Sequence, residues 1–297
     1  MRLLSLLPDA PSPRGDAVLV VALDGWTDAG MGGSTAAEHL REHLGTVRVG
    51  TFDGDALYDY RDRRPALDID RGRLGEVRWP ELAVDLISPA SGPQLVLVSG
   101  PEPDLSWRGL AADLTELAES WGLRRYVGFG SVPGPIPHTR PVRVVCTSND
   151  PVLLARMGAA HERMTVPASC QVALEADLGA AGLTTLGMWV RIPHYVGGVY
   201  PDAARALLER LSAHLGTHVD LSALDRDMQE NRHRLDAAAS SSDEVRAHVA
   251  ELERLYDDLD PEAEIGVAEV EAPLRDDEVP TGDELAAEIE QFLRGGA

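Results

Sequence analysis

The apolar residues of this chain follow two alternating patterns. Ala17 to Leu23 (AVLVVAL) is a continuous, largely β-branched apolar run, the pattern of a strand buried on both faces. The turn-rich stretch Asp24 to Ser34 follows, and TAAEHLREHL then predicts a helix. Val47 to Phe52, Leu95 to Ser99, Tyr126 to Ser131, Val142 to Thr147 and Thr185 to Ile192 predict further strands. Between them, Leu110, Leu114, Leu117 and Trp121 form a helical stripe over 107–121. Asn149, Asp150 and Pro151 open a third helix, residues 169–181 predict a fourth, and Pro201 starts one that runs to Leu215. Leu67 to Ile69 and Leu74 to Trp79 predict a small hairpin around Arg71-Gly72. Strand and helix alternate, which predicts an α/β fold with a mostly parallel sheet covered by helices on both faces.

After Gly216 the strand pattern stops. Asp220 to Ala239 places Leu221, Leu224, Met228 and Leu235 near heptad spacing. Glu244 to Leu259 does the same with Val245, Val249, Leu252 and Leu255, and Ser241 and Glu244 have capping-box spacing. Two amphipathic helices joined by AASSS predict an antiparallel hairpin. A two-helix hairpin is marginal alone, so it lies on the α/β body or on a second subunit. Leu221, Leu224, Met228, Leu252 and Leu255 are the candidate association residues. The expected organisation is an α/β domain at 1–218, the helical hairpin at 219–259 and a tail at 260–297. That tail carries 12 acids against 2 arginines. Such a composition buries too little apolar surface to order itself, except for a short helical pattern, Thr281 to Arg294, with Leu285, Ile289 and Phe292 on one face.

Charge narrows the function. The 297 residues contain 49 acids and 27 basic side chains, all of them arginine, for a net charge of −22. Nucleic acid and anionic membrane surfaces both call for clustered cations, so neither is an expected partner. The missing lysine excludes a P-loop lysine and a Schiff-base lysine for pyridoxal phosphate. Cys146 and Cys170, flanked by apolar residues, predict buried thiols. The leucines before Pro8 are too few for a secretory core of about 7–15 apolar residues. No apolar run approaches the roughly 18 residues of a membrane helix. A soluble, cytoplasmic protein without cofactor or metal is expected.

The loops at predicted strand ends hold the candidate chemistry, because ligands of open α/β sheets bind beyond the carboxyl ends of the strands. The first, Asp24-Gly25-Trp26-Thr27-Asp28-Ala29-Gly30-Met31-Gly32-Gly33-Ser34, is neither a dinucleotide fingerprint nor a P-loop. Its carboxylates would repel a phosphate, and its glycines also suit close helix–sheet packing. The second follows Gly128-Phe129-Gly130-Ser131 and carries His138 and Arg140. The third is Pro193-His194-Tyr195-Val196-Gly197-Gly198-Val199-Tyr200-Pro201, where His194 is either a general base or a structural histidine. Asp24, Trp26, Asp28, Gly30, Ser34, Ser131, His138, Arg140, His194 and Tyr195 are the candidate binding residues. If they form one ligand site, three separate strand ends must bring Asp24, Asp28, Ser131, His138 and His194 into one pocket. No G-x-S-x-G elbow occurs. His39 and His43 share a helix face but lack an evident third ligand.

Three stretches, LDGWTDAGMGGSTAAEHL, LVSGPEPDLSWRGLAADLTELAESWGLRRYVGFGS and WVRIPHYVGGVYPDAARALLERL, together resemble the proteasome assembly chaperone 2 family, most closely its actinobacterial branch. The resemblance runs over about residues 1–258. It implies a three-layer α/β/α fold of the phosphorylase/hydrolase-like kind, homo-oligomerisation, proteasome-related partners and no established enzymatic activity. Members that engage the proteasome often end in a hydrophobic residue, a tyrosine and a final residue. This chain ends Phe292-Leu293-Arg294-Gly295-Gly296-Ala297, without that tyrosine, which is a departure from the family's pattern. Two functional readings stand: a non-enzymatic, self-associating assembly or scaffold protein, or a small-molecule binder or hydrolase/phosphorylase-like enzyme using the strand-end loops.

Overall fold

A computed structural model describes residues 2–157 and 165–258. The expected tail, 260–297, and its terminal helix lie outside the described residues. Among the described residues there are ten strands: β1 (Leu4–Leu6), β2 (Val18–Asp24), β3 (Gly45–Phe52), β4 (Ala66–Asp70), β5 (Arg73–Arg78), β6 (Ala83–Ser88), β7 (Leu95–Pro101), β8 (Arg125–Gly134), β9 (Val144–Thr147) and β10 (Thr184–Pro193). Eight α-helices accompany them among the described residues: α1 (Gly32–His43), α2 (Gly54–Leu57), α3 (Trp107–Trp121), α4 (Pro151–Met157), α5 (Cys170–Ala180), α6 (Pro201–Leu215), α7 (Ser222–Ser240) and α8 (Asp243–Asp258).

Eight strands form one sheet in the order β1-β3-β6-β7-β2-β8-β10-β9. Its centre, β7-β2-β8-β10, is parallel throughout. Both margins are antiparallel: β6 on β7, β3 on β6 and β1 on β3 at one side, β9 on β10 at the other. The sheet is therefore mixed, with the parallel character confined to the middle.

Strand β2 shows why there are three layers. Leu19, Val21 and Leu23 belong to a core shared with Leu110, Leu114 and Leu117 of α3 and Leu174 and Leu178 of α5. Val18, Val20 and Ala22 belong to a second core with Ala36, Ala37 and Leu40 of α1 and Leu207, Leu208 and Leu211 of α6. Successive side chains point to opposite faces, so an unbroken apolar run needs a helical layer on each side.

Two strands carried no clear sequence signal. Strand β6 hides a buried Asp85 in its apolar run, and Arg48 of β3 meets it at 2.6 Å. Strand β1 uses the N-terminal leucines: the backbone N–H groups of Leu3 and Leu4 donate to the buried Asp113 carboxylate of α3 at 2.6 and 2.7 Å.

Helix α7 packs on α6, with Leu224 buried in the α1/α6 core and Leu221 and Leu235 against it. Helix α8 buries Val249, Leu252 and Tyr256. Its start lies one residue beyond the expected capping box, with Ser242 Oγ accepting from the Glu244 N–H at 3.2 Å. Among the described residues no helix is long and apolar enough to cross a membrane.

Candidate functional site

The carboxyl ends of β2, β7, β8 and β10 carry all three loops flagged in the sequence. The first loop closes on itself. Asp28 is buried, and one carboxylate oxygen accepts from Gly33 N–H at 2.6 Å while the other accepts from Ser34 Oγ at 2.5 Å. Asp28 thus holds the first turn of α1, where backbone N–H groups lack helical partners. Burial raises its carboxyl above the usual range, with Asp24 adding a smaller push and the three hydrogen bonds opposing it. Ser131 Oγ donates to the Ala29 carbonyl at 2.7 Å and lies 3.4 Å from Asp28. The Ser131 N–H donates to the Thr27 carbonyl, which extends the sheet edge by one bridge. Gly30 has φ +62°, and a Cβ there would fall 2.8 Å from Ile192 and 2.9 Å from Tyr200. Its glycine identity is fixed by both space and backbone.

The second and third loops join the helical hairpin. His138 is buried. Its Nε2 faces Asp236 of α7 at 3.2 Å, and its Nδ1 faces the Tyr195 hydroxyl at 2.7 Å. A carboxylate only accepts, so Nε2 carries the hydrogen and Nδ1 receives the one from Tyr195. Tyr195 Oη also accepts from the His138 backbone N–H at 2.8 Å. Arg232 of α7 donates to the His138 carbonyl at 2.6 Å. Arg140 grips Asp257 of α8 through Nε at 2.8 Å and Nη2 at 2.6 Å, and reaches Glu253 at 3.2 Å. Thr139 donates to Glu253, and Tyr256 Oη donates to the Pro141 carbonyl at 2.8 Å. His194 Nδ1 lies 3.3 Å from the Gly134 carbonyl, and its Nε2 lies 3.4 Å from that of His248 on α8.

The candidate binding residues thus separate into two groups. Asp28, Gly30, Ser34 and Ser131 build the start of α1. His138, Arg140, His194 and Tyr195 fasten α7 and α8. No hydrogen bond among the described residues links the groups, and Asp24 is exposed at the end of β2. The association candidates divide too. Leu224 and Leu252 are buried within the chain, Leu221 and Met228 are half-buried, and Leu255 is exposed. The apolar stripes of the hairpin are therefore largely used on its own body.

An open crevice does exist at the ends of β2 and β7. It has a volume of about 410 Å³ and is lined by Trp26, Arg63, Glu102, Pro103, Trp107 and Ser169 among others. Of the ten candidate binding residues, Trp26 alone lines it, and that residue is 68% exposed. Glu102 builds the crevice wall by accepting from Trp26 N–H and Cys170 N–H, both at 2.7 Å. Glu102 and Trp107 are not among the candidate binding residues. The run Gly100-Pro101-Glu102-Pro103 directly after an apolar strand was the available signal.

His39 is buried and bonds the Asp220 carbonyl at 2.6 Å, while His43 stacks on it at 4.1 Å. Among the described residues no group of three ligand-type side chains could hold a metal. Cys146 and Cys170 are free and buried, and burial pushes the Cys170 thiol up to about 12, with Glu102 contributing less.

A model of the PAC2 family matches residues 22–239. Three solved structures are similar over most of their length. A Mycobacterium tuberculosis protein of unknown function is 34% identical, with TM-score 0.81, covering 86% of this chain and 91% of its own. A Corynebacterium glutamicum protein of unknown function is 30% identical, with TM-score 0.82 and coverage of 86% and 97%. A Mycobacterium tuberculosis proteasome-assembly chaperone homologue is 27% identical, with TM-score 0.73 and coverage of 78% and 99%. No curated protein matches the chain.

Proposed function

The chain belongs to the PAC2 family, and from that premise we propose that it is a non-enzymatic, self-associating protein with an assembly or scaffold role. One observation carries this reading. The polar side chains at the strand ends spend their hydrogen bonds on the chain's own architecture, from Asp28 on α1 to Arg140 on α8. A general base or nucleophile must instead aim at a substrate atom. The proteasome-assembly chaperone homologue among the similar structures supports proteasome-related proteins as the partner class. Affinity capture from the native cell with mass spectrometry tests this. Enrichment of proteasome components is expected, and their absence from the captured set contradicts the partner assignment.

The crevice beside Trp26 favours a second reading, a small-molecule binder. Its volume falls within the range of ligand pockets, about 300–1,000 Å³, and two indoles line it. A mixed-ligand thermal-shift screen separates the readings. A ligand at a hundred times its Kd stabilises by about 2.7 kcal/mol, and a hit abolished by Trp26→Ala would favour the binder.

A further inference from the structure

Strands β4 and β5 form a two-stranded ribbon separate from the main sheet. Every residue in both strands is exposed. The strands are joined at Arg71-Gly72, whose φ angles of 49° and 81° are both positive. Two consecutive left-handed residues make the tight turn that matches strand twist. Across the ribbon Leu67 pairs with Val77 and Ile69 with Leu74. Paired residues share a face, and a register irregularity between the two pairs takes up the extra residue between Leu74 and Val77, so these four side chains make one apolar surface. Ile69 is 65% exposed and Leu74 is 72% exposed. At the root, exposed Trp79 meets Tyr60 edge-on at 4.8 Å. Both ribbon edges are also unpaired among the described residues. A lone two-stranded ribbon is marginal in water, and an apolar surface of this kind marks an interaction site.

Charge identifies what covers it. The ribbon itself, residues 66–78, holds three arginines and three acids and is neutral in a chain of −22. Arg78 pairs with Asp68 on the ribbon. Arg71 and Arg73 stand at its tip without an ion pair among the described residues. Two copies of this chain repel through their bodies. The neutral ribbon escapes that repulsion, its two tip arginines suit an acidic surface, and its apolar face supplies the contact that association needs. We propose that the β4–β5 ribbon is an association arm that lies on the acidic surface of a second copy of this chain. The proposal rests on the self-association reading above.

The test uses the full chain. Ile69→Asp with Leu74→Asp leaves the core untouched, so circular dichroism and the urea midpoint should not change. Loss of one buried anchor at an interface weakens it by about 30-fold. The double variant should therefore scatter as a smaller particle at concentrations where the natural chain is assembled. A variant of unchanged mass overturns the arm while leaving self-association intact, and a natural chain that scatters as a monomer overturns both. Ile69→Cys gives an independent measurement, because both native thiols are buried. Labelled there with a photo-crosslinker, the purified protein should yield a band of two chains on a denaturing gel, with acidic peptides at the link. An assembled sample that gives only the single-chain band overturns the proposal. So does one that crosslinks only to other proteins when cell extract is added.

Discussion

The Tyr195 hydroxyl lies 2.7 Å from Nδ1 of His138 and accepts from the backbone N–H of the same histidine at 2.8 Å. One side chain from the loop after β10 thereby fixes both the ring and the main chain of a residue after β8. The hairpin then fastens to that histidine through Asp236 and Arg232.

Tyr195→Phe should therefore loosen the hairpin. It leaves a backbone donor and a ring nitrogen without partners, at a cost of about 1–3 kcal/mol. Urea unfolding followed by circular dichroism should show that loss. A midpoint equal to that of the natural chain would mean that water replaces the hydroxyl.

Gly30→Ala should destabilise by about 1–3 kcal/mol. The added methyl meets Ile192 and Tyr200 inside 3 Å at a positive φ, which combines overpacking with left-handed strain. Gly197 has open space around it, and Gly197→Ala should be near neutral in the same assay.

Arg140 and Asp257 make a pH-dependent clamp on α8. The hydrogen bond from the guanidinium holds the Asp257 carboxyl below its ordinary range. The unfolded value is about 3.9. The folded chain thus releases this proton more readily than the unfolded chain does. The clamp's contribution is present above the unfolded value and is lost as pH falls through the lowered folded one. In Arg140→Ala the carboxyl should titrate near its ordinary value, as read by carboxyl-carbon NMR. A titration that stays low in the variant would assign the shift to another group.

Leu252 and Leu255 sit three residues apart on α8 with opposite fates, the first buried and the second exposed. Leu252→Ala should cost about 2–5 kcal/mol through the cavity it leaves. Leu255→Ala should stay within about 0.5 kcal/mol of the natural chain. Equal losses from the two would mean that the stripe is buried on a different side.

The fold was legible where the signal was local. Residues 107–121 and 201–215 have helix bounds that match α3 and α6, because a periodic stripe and its end residues lie in one window. The run 17–23 was readable as β2 for the same reason. Strand β6 was not, because its Asp85 is tolerable only beside Arg48, 37 residues away and on another strand. The strand-end loops were recognisable as unusual, but their use was not. His138, Thr139 and Arg140 find partners 98, 114 and 117 residues further on, and no window of sequence shows that pairing.

Light scattering on the purified full chain tests self-association most directly. Self-association predicts a mass that is a multiple of 31.9 kDa at micromolar concentration and falls on dilution. A mass of one chain at every concentration, with circular dichroism reporting a folded protein, would contradict it.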